Sequence, residues 1–397
     1  MTNEHIGRKQ SIGLGKEGTP GTEVAASRWF PKLSGSFTPR METDMDSGAF
    51  GVLDAVKEVN TSKVWTEVMF AAQVRDDSFG DILKLLFGSA YACIKIPISG
   101  GSGTFAVGET VTESTSLATG VVRRSDQGAA TPVLYIDRVT GTFTGGQTLT
   151  GGTSSATATG GTIIPQATGR NHVFRLLNNN NHPTATLYGS DPVSDDRAAF
   201  CMLESLEIEG VVGKFTTFQA KFLGKQLEST SAQTPVFVAQ NGFMARHLTA
   251  KMASAFNGLD AASAVNVERF KLTIPKNLLL FYAFGSNSPN TILNQQFGEV
   301  AVEMTLLYNA VTQRDLVINS TKNAVRLTGN NTNATAISGS NYPLFQFDMP
   351  SVGFNSFERD SDNNNIVKQT IKGVAEFDIT RSLTIEALLQ NAVTAAY

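Results

Sequence analysis

Charge is scarce in this chain. Of its 397 residues, 17% are Asp, Glu, Lys or Arg, against the ~25% usual for soluble domains. Polarity comes instead from Thr, Ser, Asn, Gln and Gly, a surface suited to burial in an assembly. The net charge is −3 and no basic run exceeds two residues, as at Arg123-Arg124, which excludes the basic patch of a sequence-specific nucleic-acid reader. Cys93 and Cys201 are the only cysteines, and both sit among apolar neighbours. They read as buried free thiols, not as a disulfide. No apolar run approaches the ~20 residues of a membrane span, so no membrane is expected among the partners. Met1-Thr-Asn-Glu-His5 has neither the basic nor the apolar region of a secretory leader, so folding in a cytoplasm is expected.

Catalytic constellations are missing as well. The histidines are His5, His172, His182 and His247. His172 and His182 flank an Asn-rich turn and could face each other across a hairpin, but no third metal ligand lies nearby in sequence. Asp360-Ser-Asp362-Asn-Asn364 opens like a calcium loop. Asn365 then replaces the required Gly, and Ile371 the bidentate Glu. Gly100-Gly-Ser-Gly103 is followed by no phosphate-binding Lys. Asp76/Asp77 and Asp195/Asp196 are sequence neighbours that point different ways, which suits caps and turns better than acid/base work. The expectation is a protein that is not an enzyme and takes no cofactor.

What is present is β-forming. There are 25 Phe against 13 Pro and 2 Trp, and alternating apolar residues recur along the chain. Strands are expected at 63–75, 203–209, 211–223, 246–254, 266–274, 298–309, 344–348 and 366–380. Residues 172–177 and 184–188 are expected to pair around Asn178–Asn181. One amphipathic helix is expected from Ser78 to Phe87, with Ser78 and Asp81 forming a capping box and Gly88 ending it. A short helix is expected at 312–319, and a strand or loose helix at 383–392. Residues 1–35 read as an extended arm with little regular structure of its own apart from a short strand around Val24–Phe37. Residues 99–167 stand apart. Gly103-Thr-Phe105 to Thr112 matches Gly141-Thr-Phe143 to Thr150, a repeat offset by 38 residues. Two copies are too few for a solenoid, so this is read as a small all-β insertion with an internal repeat. The remainder, 1–98 with 168–397, is read as one β-rich domain.

In order and phrasing the chain resembles the major tail tube proteins of long, non-contractile-tailed bacteriophages. The residues that carry the likeness are Ile12-Gly-Leu-Gly-Lys-Glu-Gly18-Thr-Pro-Gly21, Trp29-Phe-Pro31, Gly35-Ser-Phe37-Thr-Pro39 and Leu85-Leu-Phe-Gly88. They continue with His172-Val-Phe174, Leu206-Glu-Ile208-Glu-Gly210 and Phe345-Gln-Phe-Asp348-Met-Pro350. The resemblance implies a β-sandwich or barrel with a flanking helix, and six copies per ring. Rings would stack into a virion tail tube, assembled in the host cytoplasm. It implies as partners other copies of the chain, a tape-measure protein, a tail terminator, tail-tip proteins, and double-stranded DNA passing non-specifically through the lumen. A conduit should repel phosphate, so Glu207, Glu209, Glu299 and Glu303, each expected on a strand, are the candidate lumen-lining residues. The expected 40–62 loop and its flanks supply the candidate inter-ring contacts: Gly35, Phe37, Arg40, Glu42, Asp44, Asp46, Phe50 and Asp54. The insertion is expected on the tube exterior. The alternatives are a carbohydrate-binding or adhesive β-sandwich of a virion surface, and a virion enzyme.

Overall fold

The computed structural model describes residues 7–48, 51, 56–128, 131–164, 170–337, 341–360 and 366–397. It is mainly β, 56% strand and 7% helix. After a 3₁₀ turn, the chain runs β1 (Ser11–Lys16), β2 (Arg28–Phe30), β3 (Lys32–Asp46), β4 (Glu58–Gln73), α1 (Phe79–Phe87), β5 (Gly88–Ser102), β6 (Thr110–Glu113), β7 (Thr119–Ser125), β8 (Val133–Thr140), β9 (Thr148–Gly151), β10 (Thr157–Gly160), β11 (Arg170–Leu176) and β12 (Ala185–Ser190). It continues through β13 (Asp195–Val211), β14 (Thr217–Gly224), β15 (Glu228–Thr230), β16 (Leu248–Ala253), β17 (Ala264–Val265), β18 (Val267–Phe281), β19 (Thr291–Phe297), β20 (Ala301–Leu307), α2 (Thr312–Ile318), β21 (Lys322–Asn330), β22 (Leu344–Asp360), β23 (Lys368–Ala375) and β24 (Glu386–Asn391).

The body is a broad antiparallel sheet in the order β3–β4–β14–β13–β18–β20–β23–β22. β22 serves two layers. Its second half pairs with β23 and its first half with β24, which leads on to β11 and the start of β5. Side-chain alternation decides the faces: Leu206, Ile208, Phe218, Leu272 and Val302 point into the core, and Glu207, Glu209, Lys271 and Glu303 point out. Helix α1 closes the core with Phe79, Ile82, Leu83, Leu86 and Phe87, all buried. Phe218 packs on Phe30, Phe70 and Phe79 at ring distances of 6.4, 5.9 and 5.4 Å.

Helix α1 lies where its period predicts, and Gly88 ends it with φ 82°, a conformation that favours glycine. The capping box does not form. The Ser78 side chain makes no cap bond, and its own N–H goes to Gln240 Oε1 at 2.9 Å. Asp81 is drawn away by charge: Arg28 Nε lies 3.0 Å from it and Lys16 Nζ 3.1 Å. This same bond set corrects the expected arm. From Ser11 onward the segment is part of the body, with β1 between β12 and β2. Glu17, nearly buried, fastens it by accepting from Gly21 N–H, both Thr184 and Thr186 hydroxyls, and Phe200 N–H at 2.7 to 2.8 Å. The expected loop at 40–62 is also corrected, since β3 runs on to Asp46 and β4 begins at Glu58. β11 and β12 do not pair with each other. β11 is already flanked by β24 and β5, and β12 by β1 and β13, so the 177–184 link carries the chain between sheets. The final segment is the strand β24, and α2 stands where a short helix is expected. Both cysteines are buried and free.

The insertion closes on itself. Strands β5, β8, β7, β6, β9 and β10 pair in a ring and return to β5, a closed six-stranded barrel. It has its own core of Ile96, Phe105, Val111, Ala118, Leu134, Phe143, Leu149 and Ala156. The barrel begins inside β5 at Ile94, earlier than the expected boundary at 99, because β5 bends out of the body sheet into it. The 38-residue repeat becomes a pseudo-twofold axis. Ile96 pairs with Leu134, and Thr112 with Thr150, each with its own repeat equivalent. Leu117 and Ser155, also equivalent, share a left-handed φ of 55° and 56°. Two carboxylates fasten the loops. Glu109 accepts from Thr153 and Ser154 N–H at 3.0 and 2.8 Å, and Glu113 from Thr144 N–H at 3.0 Å and from the Ser116 hydroxyl.

Burial pushes both carboxyls up, but these hydrogen bonds outweigh it and hold Glu109 and Glu113 below the ordinary range. The stabilisation is therefore complete above the unfolded value near ~4.3 and is lost as pH falls through the depressed folded values. Hydrogen exchange, corrected for intrinsic rate, is expected to show the Thr144–Gly145 and Thr153–Ser154 amides protected at neutral pH and opening on acidification below that point. Substituting Glu113→Gln should remove the pH dependence at Thr144.

Candidate assembly surface and ionic junction

Three of the four candidate lumen residues share one face. Glu207 and Glu209 on β13 and Glu303 on β20 stand on either side of β18, because residues paired directly across an antiparallel sheet point the same way. β18 supplies their counter-charges. Lys271 Nζ is 2.9 Å from Glu207, and Arg269 is 2.7 Å from Glu209 and 3.5 Å from Glu303. Lys372 on β23 reaches Glu303 at 3.8 Å, and Lys221 on β14 reaches Glu204 at 2.8 Å. The face is a ladder of alternating sign, not a bare acidic wall. Such solvated pairs contribute about 0.2–1 kcal/mol each. Their larger effect is to cancel the local field. Glu299 does not join them. It is exposed in the link between β19 and β20, since β20 begins only at Ala301 and Gly298 N–H turns back to Pro275 O at 2.9 Å.

The candidate inter-ring residues divide along β3. Gly35 and Phe37 belong to the base of the ribbon. A Cβ at Gly35 would lie 2.6 Å from Ile12 Cδ1, and Phe37 packs against the core. Arg40, Glu42, Asp44 and Asp46 lie on the exposed outer part. Arg40 pairs with Glu67 at 3.1 Å and Glu42 with Lys63 at 2.7 Å. Asp44 and Asp46 accept from Met45 and Gly48 N–H, each at 3.0 Å. Phe50 and Asp54 lie outside the described residues.

His172 and His182 are both buried but belong to separate networks. His172 Nε2 meets Asn391 and Val393 O, each at 3.1 Å. His182 meets Leu177 O at 3.0 Å and the buried Lys276 ammonium at 3.2 Å. Burial pulls both imidazoles down to about 4. Lys276, well below its ordinary value through burial, also caps α1 by donating to Leu85 O at 2.8 Å. Among the described residues no group of three or more His, Cys, Asp or Glu is placed to hold a metal ion. Among those residues, too, no helix is long and apolar enough to cross a membrane.

Sequence reasoning passed over Arg124. It projects from barrel strand β7 into the body and is 2% exposed. Its guanidinium meets Asp126 at 2.8 Å, Asp348 of β22 at 2.7 Å and Glu386 of β24 at 2.8 Å. Arg326 of β21 holds the other side of Asp348 at 2.6 Å, and Arg175 of β11 pairs with Glu386. Burial lowers the Arg124 pKa, but the three carboxylates outweigh it and the net shift is upward. Asp348, which burial would raise, is held below the ordinary range by Arg124 and Arg326. Such a site fixes how the barrel sits on the body. The only available signal was a basic pair in a strand of an otherwise Gly-, Thr- and Ala-rich region. No protein-family model matches the chain, and no curated protein matches it.

Removing one member of a buried ion network leaves the others uncompensated. Because Asp348 and Glu386 keep Arg326 and Arg175, Arg124→Met is expected to cost about 3 kcal/mol, the low end for a buried pair. The exposed-pair control Lys63→Met should cost no more than ~1 kcal/mol. Urea unfolding of the two variants, compared with the parent, measures both.

Proposed function

We propose that this chain is a structural subunit of a bacteriophage tail tube. Copies close into rings, six to a ring on the resemblance, and the rings stack into a conduit for double-stranded DNA. The tape-measure protein, terminator and tip proteins are its proposed companions in the virion, and the barrel is proposed to face outward. The observation that carries this reading is the β3–β4 ribbon. Its outer part, from Arg40 to Asp46, extends roughly 20 Å at ~3.3 Å per residue. It is two-faced. Met41 opposite Val64 and Met45 opposite Val59 form an apolar face, while Arg40, Glu42, Lys63 and Glu58 lie on the other. Met41, Met45 and Val59 are 64, 56 and 54% exposed. Val64 N–H donates to Asn287 O at 2.7 Å, and beyond it the ribbon has no other strand beside it among the described residues. A two-stranded ribbon with a bare apolar face is marginal in water, and a neighbouring ring supplies the missing cover.

Two further features agree with this reading. The charge ladder around Arg269 leaves no excess of positive charge to retain phosphate, which suits a lumen. Trp29 is buried and Trp65 half-buried, so neither offers the open stacking platform that a sugar-binding face uses. Substituting Met41→Glu together with Met45→Glu is expected to leave the circular dichroism of the dispersed chain unchanged and to abolish tubes in negative-stain micrographs. Tubes of parental length from that variant would contradict the role given to the ribbon.

A further inference from the structure

Between β15 and Ala245 lies a stretch with the chemistry of a strand and no strand to pair with. Thr234-Pro-Val-Phe-Val-Ala239 belongs to no helix, turn or strand. Its flanks are pinned. Gln233 N–H donates to the Asp195 carboxylate, Gln240 O accepts from Arg75 at 3.3 Å, and Asn241 N–H donates to Asp76 at 2.8 Å. Between these anchors no backbone group from Thr234 to Ala239 makes a hydrogen bond to any described residue. Val236, Phe237 and Val238 are 66, 52 and 57% exposed. β-Branched and aromatic residues favour a paired, half-covered strand, and backbone groups seek partners. Addition to an open sheet edge satisfies both at once. Pinned at both ends, the segment cannot travel to an edge of its own chain.

Charge points to the edge. No charged residue occurs from Ser229 to Ala245, nor from Asn277 to Gly298, in a chain that is 17% charged. The second stretch is the outer end of β18, the hairpin tip and β19. β19 pairs on one side with β18. On its other side Asn294 N–H is taken by Asn180 O at 3.0 Å, and at the tip Asn287 O accepts from Val64 N–H at 2.7 Å, so the free length of edge lies between them, around Thr291 and Ile292. The same hairpin bares Leu279, Phe281 and Phe284, the last of them fully exposed. Among the other open edges β17 is only the two residues Ala264–Val265, and the longer ones carry charge: Arg28 on β2, Lys32 and Arg40 on β3, and Glu228 on β15. A Val-Phe-Val strand laid there would strip those groups of water.

We propose that Thr234–Ala239 of one copy adds as a strand to the outer edge of the β18–β19 hairpin of a second copy. This rests on the self-assembly reading above and names the contact within a ring. The test pairs two variants. Val236→Lys with Val238→Lys keeps an exposed segment exposed, so the dispersed fold is untouched. It should raise the concentration for half-assembly by about tenfold or more, read by sedimentation. Phe237→Cys and Thr291→Cys chains, mixed and oxidised, should give cross-linked dimers in assemblies. A Lys variant that assembles like the parent, or assemblies that yield no such cross-link, overturns the proposal and leaves self-assembly standing. A parental chain that stays monomeric at every concentration overturns both.

Discussion

Backbone N–H and C=O groups have to be hydrogen-bonded or hydrated, and the two parts of this chain meet that demand in opposite ways. The barrel closes its ring of strands, so it has no edge to offer. The body does not close. β3 pairs only with β4, β19 pairs only with β18, and Thr234–Ala239 pairs with nothing among the described residues. Those open places also bare apolar side chains, at Met41, Met45, Phe237 and Phe281. An open edge that also bares apolar side chains is either an aggregation hazard or an assembly surface. The proposed tube makes it the second. It also accounts for the low charge, because a surface buried between copies cannot hold unpaired ions without cost.

The charges that remain are used in pairs. On the outward face of the body sheet they alternate across β13, β18, β20 and β23, so their fields cancel near the surface. At the junction they are buried, and Arg124 ties two strands of the body, β22 and β24, to the barrel. This arrangement specifies orientation more than it adds stability, since buried pairs return little beyond the cost of desolvating them. A barrel held by this node, by the shared strand β5 and by the packing of Val133 and Tyr135 with Val173 and Leu388 keeps a single position on the body. That suits the proposed exterior placement, where a loosely tethered module would sweep across neighbouring copies.

Much of the fold was legible because it is written in local period. The α1 stripe, the β13–β14 ribbon and the repeated barrel sequence each sit within a short window, where side-chain spacing alone decides the outcome. What was not legible depends on partners far along the chain. Asp81 fits a capping box by spacing, yet Arg28 and Lys16 claim it. β11 and β12 look like a hairpin until β24 and β1, hundreds of residues away in the first case, take the edges. Glu17 looks like any charge in a Gly-rich arm, and only Thr184, Thr186 and Phe200 make it an anchor. At the candidate surface, alternation placed Glu207, Glu209 and Glu303 each on the polar side of its own strand, and the pairing with β18 brings them to one face. Alternation did not reveal that β18 would neutralise them, because register across strands is not encoded in either strand alone.

The central claim is that the chain completes its sheets with copies of itself. Negative-stain microscopy of the purified parental protein over a rising concentration series tests this most directly. The account predicts rings with a central hole at intermediate concentration and stacked tubes above it. A chain that remains a dispersed monomer throughout, with Met41, Met45 and Val236–Val238 still in water, would contradict it.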